Sequence, residues 1–188
     1  GFGMGPSWLT IGHWFAERAV YYPAWDADYA DALCRRLDID ATRRIGQLSK
    51  GQARRAQIVA ALAHRPPLLL LDEPSDGLDP AARDTVLELT SDHLSQTGCT
   101  ILASTHLIYE LDALVDQVGV LSHGRLTAQM SRDALRETVK TYRIRAPEGW
   151  ETVPDIPGVL QRGRFGREHS WVIRGDETEV AARIAASG

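Results

Sequence analysis

The sequence predicts an α/β fold: a helical segment, a partial parallel sheet behind it, and a small α+β appendage at the end. Three observations lead there. Apolar residues between positions 9 and 64 recur at helical spacing, broken by polar connectors. Leu68-Leu69-Leu70-Leu71 is a short continuous apolar run bounded by prolines and acids, which reads as a strand buried on both faces, as in a parallel sheet. Strand, helix, strand, helix, strand then follow in order, the alternation of an α/β domain.

The elements justify themselves in turn. Gly1 to Trp8 is glycine-rich; with no strand before it, its GxGxG spacing reads as a loop rather than a nucleotide-binding turn. Leu9 to Tyr22 places Trp14, Phe15, Val20 and Tyr21 near helical spacing, and Pro23 breaks it. Asp26 suits an N-cap, followed by a face of Tyr29, Ala30, Leu33, Cys34 and Leu37. Asp38 to Arg44 is a polar connector. Gly51 to His64 forms a third helix, stopped by Arg65-Pro66-Pro67. After the leucine strand, Pro80 opens a helix through Gln96, with Gly98 just beyond it. Thr100 to Ala103 is a second buried strand and Leu107 to Leu114 a helix. Val118 to Leu121 and Arg125 to Ala128 flank Ser122-His123-Gly124 as a hairpin. From Thr141 short strands (Tyr142 to Arg145, Val159 to Gln161, Trp171 to Ile173) and a closing helix, Glu177 to Ala186, make the appendage. The expected division is therefore 1–140 (helical part 9–64, sheet part 65–130) and 141–188.

Composition narrows the function classes. The chain has 188 residues and a formal net charge of −4, which argues against a nucleic acid partner, since a phosphate backbone is held by positive excess. Its apolar runs are too short to span a bilayer, so membrane work requires a partner. No basic start with an apolar run and cleavage site appears. Cys34 and Cys99 lack metal-ligand spacing and read as reduced core residues of a cytosolic protein. Arg162, Arg164 and Arg167 form a short basic cluster that reads as a solvated face, Glu168 following it.

The chemistry concentrates at strand ends and helix starts. Open α/β sheets bind ligands at the carboxyl ends of their strands, where Asp72 and Glu73 stand. Asp72 could hold Mg²⁺, a hard cation that prefers oxygen ligands, and Glu73 could orient and deprotonate a water. The same pair could instead cap the next helix. Leu48-Ser49-Lys50-Gly51-Gln52 opens a helix with a hydroxyl, a glycine and orphan N–H donors, suited either to phosphate or to plain capping. Ser75-Asp76-Gly77-Leu78-Asp79-Pro80 is a tight turn ending in a cap. His106 follows the second strand, where a histidine serves structure or chemistry.

In this order, the segments resemble the ATP-binding subunits of ABC transporters. Leu48 to Gln52 looks like the signature motif, Leu68 to Glu73 like Walker B with its glutamate, Ser75 to Asp79 like the D-loop, and His106 like the switch histidine. The resemblance covers Leu9 to Ala128. It implies part of a P-loop NTPase-type sheet, with residues 9–45 in the helical subdomain that docks on a membrane permease. It further implies ATP and Mg²⁺ as cofactors and a second ATPase subunit closing head to tail over the nucleotide. Ser49, Lys50, Gly51 and Gln52 would face a γ-phosphate held by that partner; Asp72 would serve Mg²⁺, and Glu73 and His106 would be catalytic. Asp79 would lie at the dimer seam. The appendage resembles accessory domains of prokaryotic exporters, and the expected location is cytoplasmic, at the inner face of the membrane through the permease.

Two departures accompany the resemblance. Lys50 replaces the glycine usual at the third signature position. No GxxxxGK[ST] phosphate loop occurs in the sequence, so that loop, the glutamine loop and the adenine-stacking aromatic are expected upstream of Gly1. The expected enzyme is an ATPase, with this chain alone inactive. The competing reading is a non-catalytic relative that acts as a binding partner. A third reading is a soluble relative in DNA repair or translation, which would be supported by long coiled-coil heptads or a second cassette; the sequence has neither.

Overall fold

Thr10 starts the first helix: its hydroxyl accepts the N–H of His13, and α1 runs Ile11–Tyr21 with Ile11, Trp14 and Phe15 buried. The computed structural model describes residues 3–106, 114–145, 157–165 and 168–186. Asp26 caps α2 (Ala27–Arg36) through the Tyr29 N–H at 2.9 Å, and its other oxygen pairs with Arg65 at 2.9 Å. The polar connector returns to the start of α1, where Thr10 bridges Arg44, and a 3₁₀ turn at Ile45–Gln47 leads into α3 (Lys50–Ala63). The strand β1 is Leu68–Asp72; α4 spans Pro80–Thr97, ended by Gly98 in the left-handed region (φ 63°), and β2 is Thr100–Ser104. A glycine suits that C-terminal position because it lacks the Cβ that disfavours positive φ.

These elements form one compact unit, Gly1–Leu111, and a second spans Asp112–Gly188. In the first, α3 is the axis: Ala53, Ala56, Val59 and Ala63 are all fully buried. Three of these four are alanines, so neighbouring helices approach closely at no cost in side-chain entropy. Leu33 and Leu37 of the α2 region, Val86 and Leu89 of α4, and Leu69 and Leu71 of β1 close around it. Each such aliphatic side chain contributes about 1.5–3 kcal/mol on burial.

β1 and β2 pair parallel and in register, Leu68 opposite Thr100 through Asp72 opposite Ser104. The expectation of burial on both faces is corrected here. Leu69 and Leu71 are buried, but Leu68 is 52% exposed, Leu70 66% and Leu102 66%. Among the described residues helices cover one face only, and successive side chains of a strand point to opposite sides. The helix expected at 107–114 lies, apart from Leu114, outside the described residues.

The second unit begins with the hairpin β3 (Gln117–Ser122) and β4 (Arg125–Ser131), joined by His123 (φ 49°) and Gly124 (φ 74°). Two successive positive φ values are what a two-residue hairpin turn requires. A helix unforeseen from sequence, α5 (Arg132–Thr138), follows, capped by Ser131. β5 (Val139–Arg145), β6 (Val159–Phe165) and β7 (Glu168–Arg174) form an antiparallel sheet in the order β5-β7-β6, and α6 is Glu177–Ala186. Trp171, Ile173 and Val180 make its core. The hairpin thus groups with the appendage, and the division expected at residue 140 falls inside β5. Of the arginine cluster, Arg162 is exposed and sits 5.9 Å from the Trp171 ring centre; Arg167 lies outside the described residues.

Candidate functional site

Register brings the chemistry of unit 1 together. Because Asp72 pairs with Ser104, both strands end level, and the residues after them meet at one edge. The Ser104 hydroxyl donates to Asp72 Oδ1. The Glu73 N–H donates to the Ser104 carbonyl at 2.9 Å, which carries the strand pairing one residue further. Glu73 itself has φ 45°, an uncommon value for a residue with a Cβ. Strain of this kind persists only where the surroundings hold it, and it concentrates at functional positions.

Glu73 and His106 are in direct contact. Glu73 Oε1 lies 2.9 Å from His106 Nδ1 and accepts the His106 backbone N–H at 3.2 Å. Glu73 Oε2 is shielded from solvent and accepts no hydrogen bond among the described residues. A shielded carboxylate oxygen without a donor is costly, and a water or ligand proton directed at it would remove that cost.

The turn after β1 is tied at several points. The Asp76 N–H donates to the Glu73 carbonyl at 3.0 Å, and the Leu78 N–H to the Ser75 carbonyl at 3.2 Å. Leu78 enters the core. Asp79 caps α4, its carboxylate accepting from the Ala82 N–H at 2.9 Å, with Pro80 at the first helical turn. The cap expected at the end of this turn is therefore Asp79, and the alternative that the Asp72-Glu73 pair caps this helix is not what the structure has.

The start of α3 lies against the same turn. Ser49 and Gln52 form a capping box: the Gln52 N–H donates to Ser49 Oγ at 3.2 Å, and the Ser49 N–H to Gln52 Oε1 at 3.0 Å. A Cβ on Gly51 would stand 2.8 Å from the Gly77 carbonyl oxygen, so only glycine permits this approach. Lys50 Nζ is 2.7 Å from Asp76 Oδ2. The Lys50 hydrogen bond, reinforced by its charge, holds the Asp76 carboxyl below the usual carboxylate range. Sequence reasoning missed this contact; the pair is 26 residues apart, and no local spacing announces it. All eight site residues expected from sequence thus lie at the strand ends, in the adjoining turn or at the start of α3.

The chain is 43% identical over 152 residues to the Nod factor export ATP-binding protein I of Rhizobium sp. (strain N33), covering 79% of this chain and 50% of that protein. It is 35% identical over 116 residues to the ABC transporter ATP-binding protein YtrB of Bacillus subtilis (strain 168), covering 62% of this chain and 40% of the relative. It is a relative of ABC transporter ATP-binding proteins. Among solved structures, an ATP-binding subunit of an ABC transporter superposes with a TM-score of 0.63 at 28% identity, over 70% of this chain and 57% of that one. The dimeric post-hydrolysis state of an ATP-binding cassette bound to ADP and Pi matches in fold, with a TM-score of 0.61 at 22% identity, over 70% of this chain and 60% of the other. A family model described as "AAA domain, putative AbiEii toxin, Type IV TA system" matches residues 37–112. The chain spans about half the length of the curated relatives it matches.

These ABC relatives make ATP and Mg²⁺ the groups to test against the site. Asp72 offers hard oxygen at a strand end, Glu73 Oε2 is without a donor, and α3 opens with no acidic residue in its first turn. That donor set fits a magnesium–polyphosphate ligand, in which protein supplies one or two carboxylates and phosphate the rest. No helix among the described residues is long and apolar enough to cross a membrane.

Proposed function

We propose that this chain supplies the carboxylate edge and the signature helix of a nucleotide-hydrolysing ABC subunit that drives a membrane permease. The observation that carries the reading is the Glu73–His106 contact at 2.9 Å, formed where two parallel strands end level. Glu73 is the general base: Oε1 is held by His106, which leaves Oε2 to take the proton of an attacking water. His106 orients Glu73 and stands beside the transferred phosphoryl group. Asp72, steadied by Ser104, holds Mg²⁺ directly or through water. A bound Mg²⁺ supplies charge neutralisation at the phosphate oxygens.

In this reading Ser49, Lys50, Gly51 and Gln52 present the positive end of α3 to a phosphate held by a second subunit. Asp79, at the end of the turn from Glu73, lies near the seam between subunits. The dimeric form of the matched ADP- and Pi-bound cassette supports this arrangement. The export and transport names of the relatives support an exporter at the inner membrane face. The 188-residue chain, whose sequence holds no GxxxxGK[ST], is expected to bind MgATP weakly and turn it over negligibly.

Titration calorimetry and phosphate release test this, on this chain and on the full-length protein with its permease. The full-length complex should hydrolyse MgATP, and Asp72→Asn should weaken MgATP far more than metal-free ATP. Equal loss for both forms would remove Asp72 from the metal. Sub-micromolar MgATP binding by the 188-residue chain alone would show that it holds its own phosphate grip.

A further inference from the structure

The lysine at the third signature position has a use inside this chain. We propose that Lys50 is a positioning residue: by pairing with Asp76 it locks the start of α3 to the turn that carries Glu73, so that the phosphate-facing helix and the catalytic carboxylate move as one piece. This rests on the reading of Glu73 given above.

Lys50 Nζ reaches Asp76 Oδ2 at 2.7 Å, and its stem lies across Gly77: a Cβ there would meet Lys50 Cδ, Cγ and Cε at 3.0–3.2 Å. Gly77 has φ 77°, so both its conformation and its bare surface suit the lysine crossing it. From Asp76 the link to Glu73 is a single hydrogen bond, Asp76 N–H to Glu73 carbonyl at 3.0 Å. Gly51 closes on the Gly77 carbonyl from the same side. At the far end Leu78 is buried and Asp79 caps α4. The turn is therefore fixed at its end by core and cap, and in its middle by the Lys50–Asp76 pair and the close approach of Gly51 to Gly77.

Both partners are half-exposed, 59% and 46% for the side chains, so the pair adds little to global stability. Its effect is on where Glu73 stands. Small misplacements of a catalytic group cost rate, on the order of 10- to 100-fold. A lysine acting on nucleotide directly would change affinity instead.

The test compares Lys50→Met, Lys50→Arg, Asp76→Asn and the double variant Lys50→Met with Asp76→Asn in the full-length complex at saturating MgATP. Lys50→Met and Asp76→Asn should each lower kcat about 10-fold with KM little changed. Lys50→Arg should restore most of it. The double variant should lose no more than either single variant, because both changes remove the same contact. In the 188-residue chain, NMR titration should show the Asp76 carboxyl rising toward the usual range in Lys50→Met. The proposal is overturned by kcat retained with raised KM, by a double variant whose losses multiply, or by an Asp76 titration indifferent to Lys50. Glu73→Gln run in parallel separates the two ideas. If that variant stays active, the reading of Glu73 fails, while the Asp76 titration still decides whether the lock exists.

Discussion

Replacing Gly51 by alanine sets two effects of opposite sign against each other. Alanine is the better helix former, worth up to about 1 kcal/mol over glycine inside a helix and less near its start. Against this stands the contact it would make: the new Cβ would lie 2.8 Å from the Gly77 carbonyl oxygen and 3.9 Å from Leu78 Cδ2. The first distance is shorter than a carbon and a backbone oxygen tolerate, and the oxygen belongs to a turn anchored by Leu78 and the Asp79 cap. Overpacking of this kind costs about 1–3 kcal/mol. The clash wins, for a net loss of about 1 kcal/mol. With an m-value of about 1–3 kcal/mol/M in urea, the midpoint falls by roughly 0.3–1 M. Urea unfolding of the purified chain, followed by tryptophan fluorescence, measures it. A midpoint that rises would mean that helix propensity acts unopposed and that α3 does not press on the turn.

Two further outcomes follow from buried groups. His93 is fully buried on α4, its Nδ1 3.3 Å from the Tyr29 hydroxyl and its ring stacked on Tyr29, which also lies under the Arg65 guanidinium. Burial first, then the charges of Arg65 and His64, push its pKa below the ordinary 6.5. Above about pH 6.5 it is neutral both folded and unfolded, and its contribution is complete. As pH falls below that value the unfolded chain takes a proton the folded one refuses, so stability declines toward the folded pKa, by up to about tenfold in the unfolding constant per pH unit. Unfolding of unit 1 between pH 7 and 5 should show this slope, and His93→Gln should flatten it; an unchanged slope removes His93 as its source. Burial, with Asp31 adding, pushes the Cys34 thiol up to about 11. In a Cys99→Ser background, Cys34 should react with a disulfide reagent at pH 8 on the order of 100-fold more slowly folded than unfolded, because thiolate is the reacting form. Comparable rates would place Cys34 at the surface.

Much of unit 1 was legible in the sequence because its signals are local. Asp26, Ser49 and Asp79 each precede a helix, and each accepts an N–H from within its first turn. The nearness of Glu73 and His106 follows from two strands of equal length, with the carboxylate one residue past the first and the histidine two past the second, once their pairing is parallel. The exposure of Leu68, Leu70 and Leu102 was not legible. Four successive leucines carry no period, and what covers a strand's second face is decided by elements elsewhere. The short helix α5 escaped because its seven residues bury none of their side chains, leaving no apolar stripe to read. The Lys50–Asp76 pair and the Gly51–Gly77 approach are products of β1 running back beside α3, which spacing alone does not disclose.

The central claim is that Glu73 is the base of a hydrolytic site. It is tested most directly by single-turnover hydrolysis of MgATP in the full-length complex, comparing wild type with Glu73→Gln while monitoring bound nucleotide. The amide, isosteric but unable to accept the proton, should bind MgATP as tightly as wild type and cleave it roughly 10²- to 10⁴-fold more slowly. Cleavage within a few-fold of wild type would contradict it.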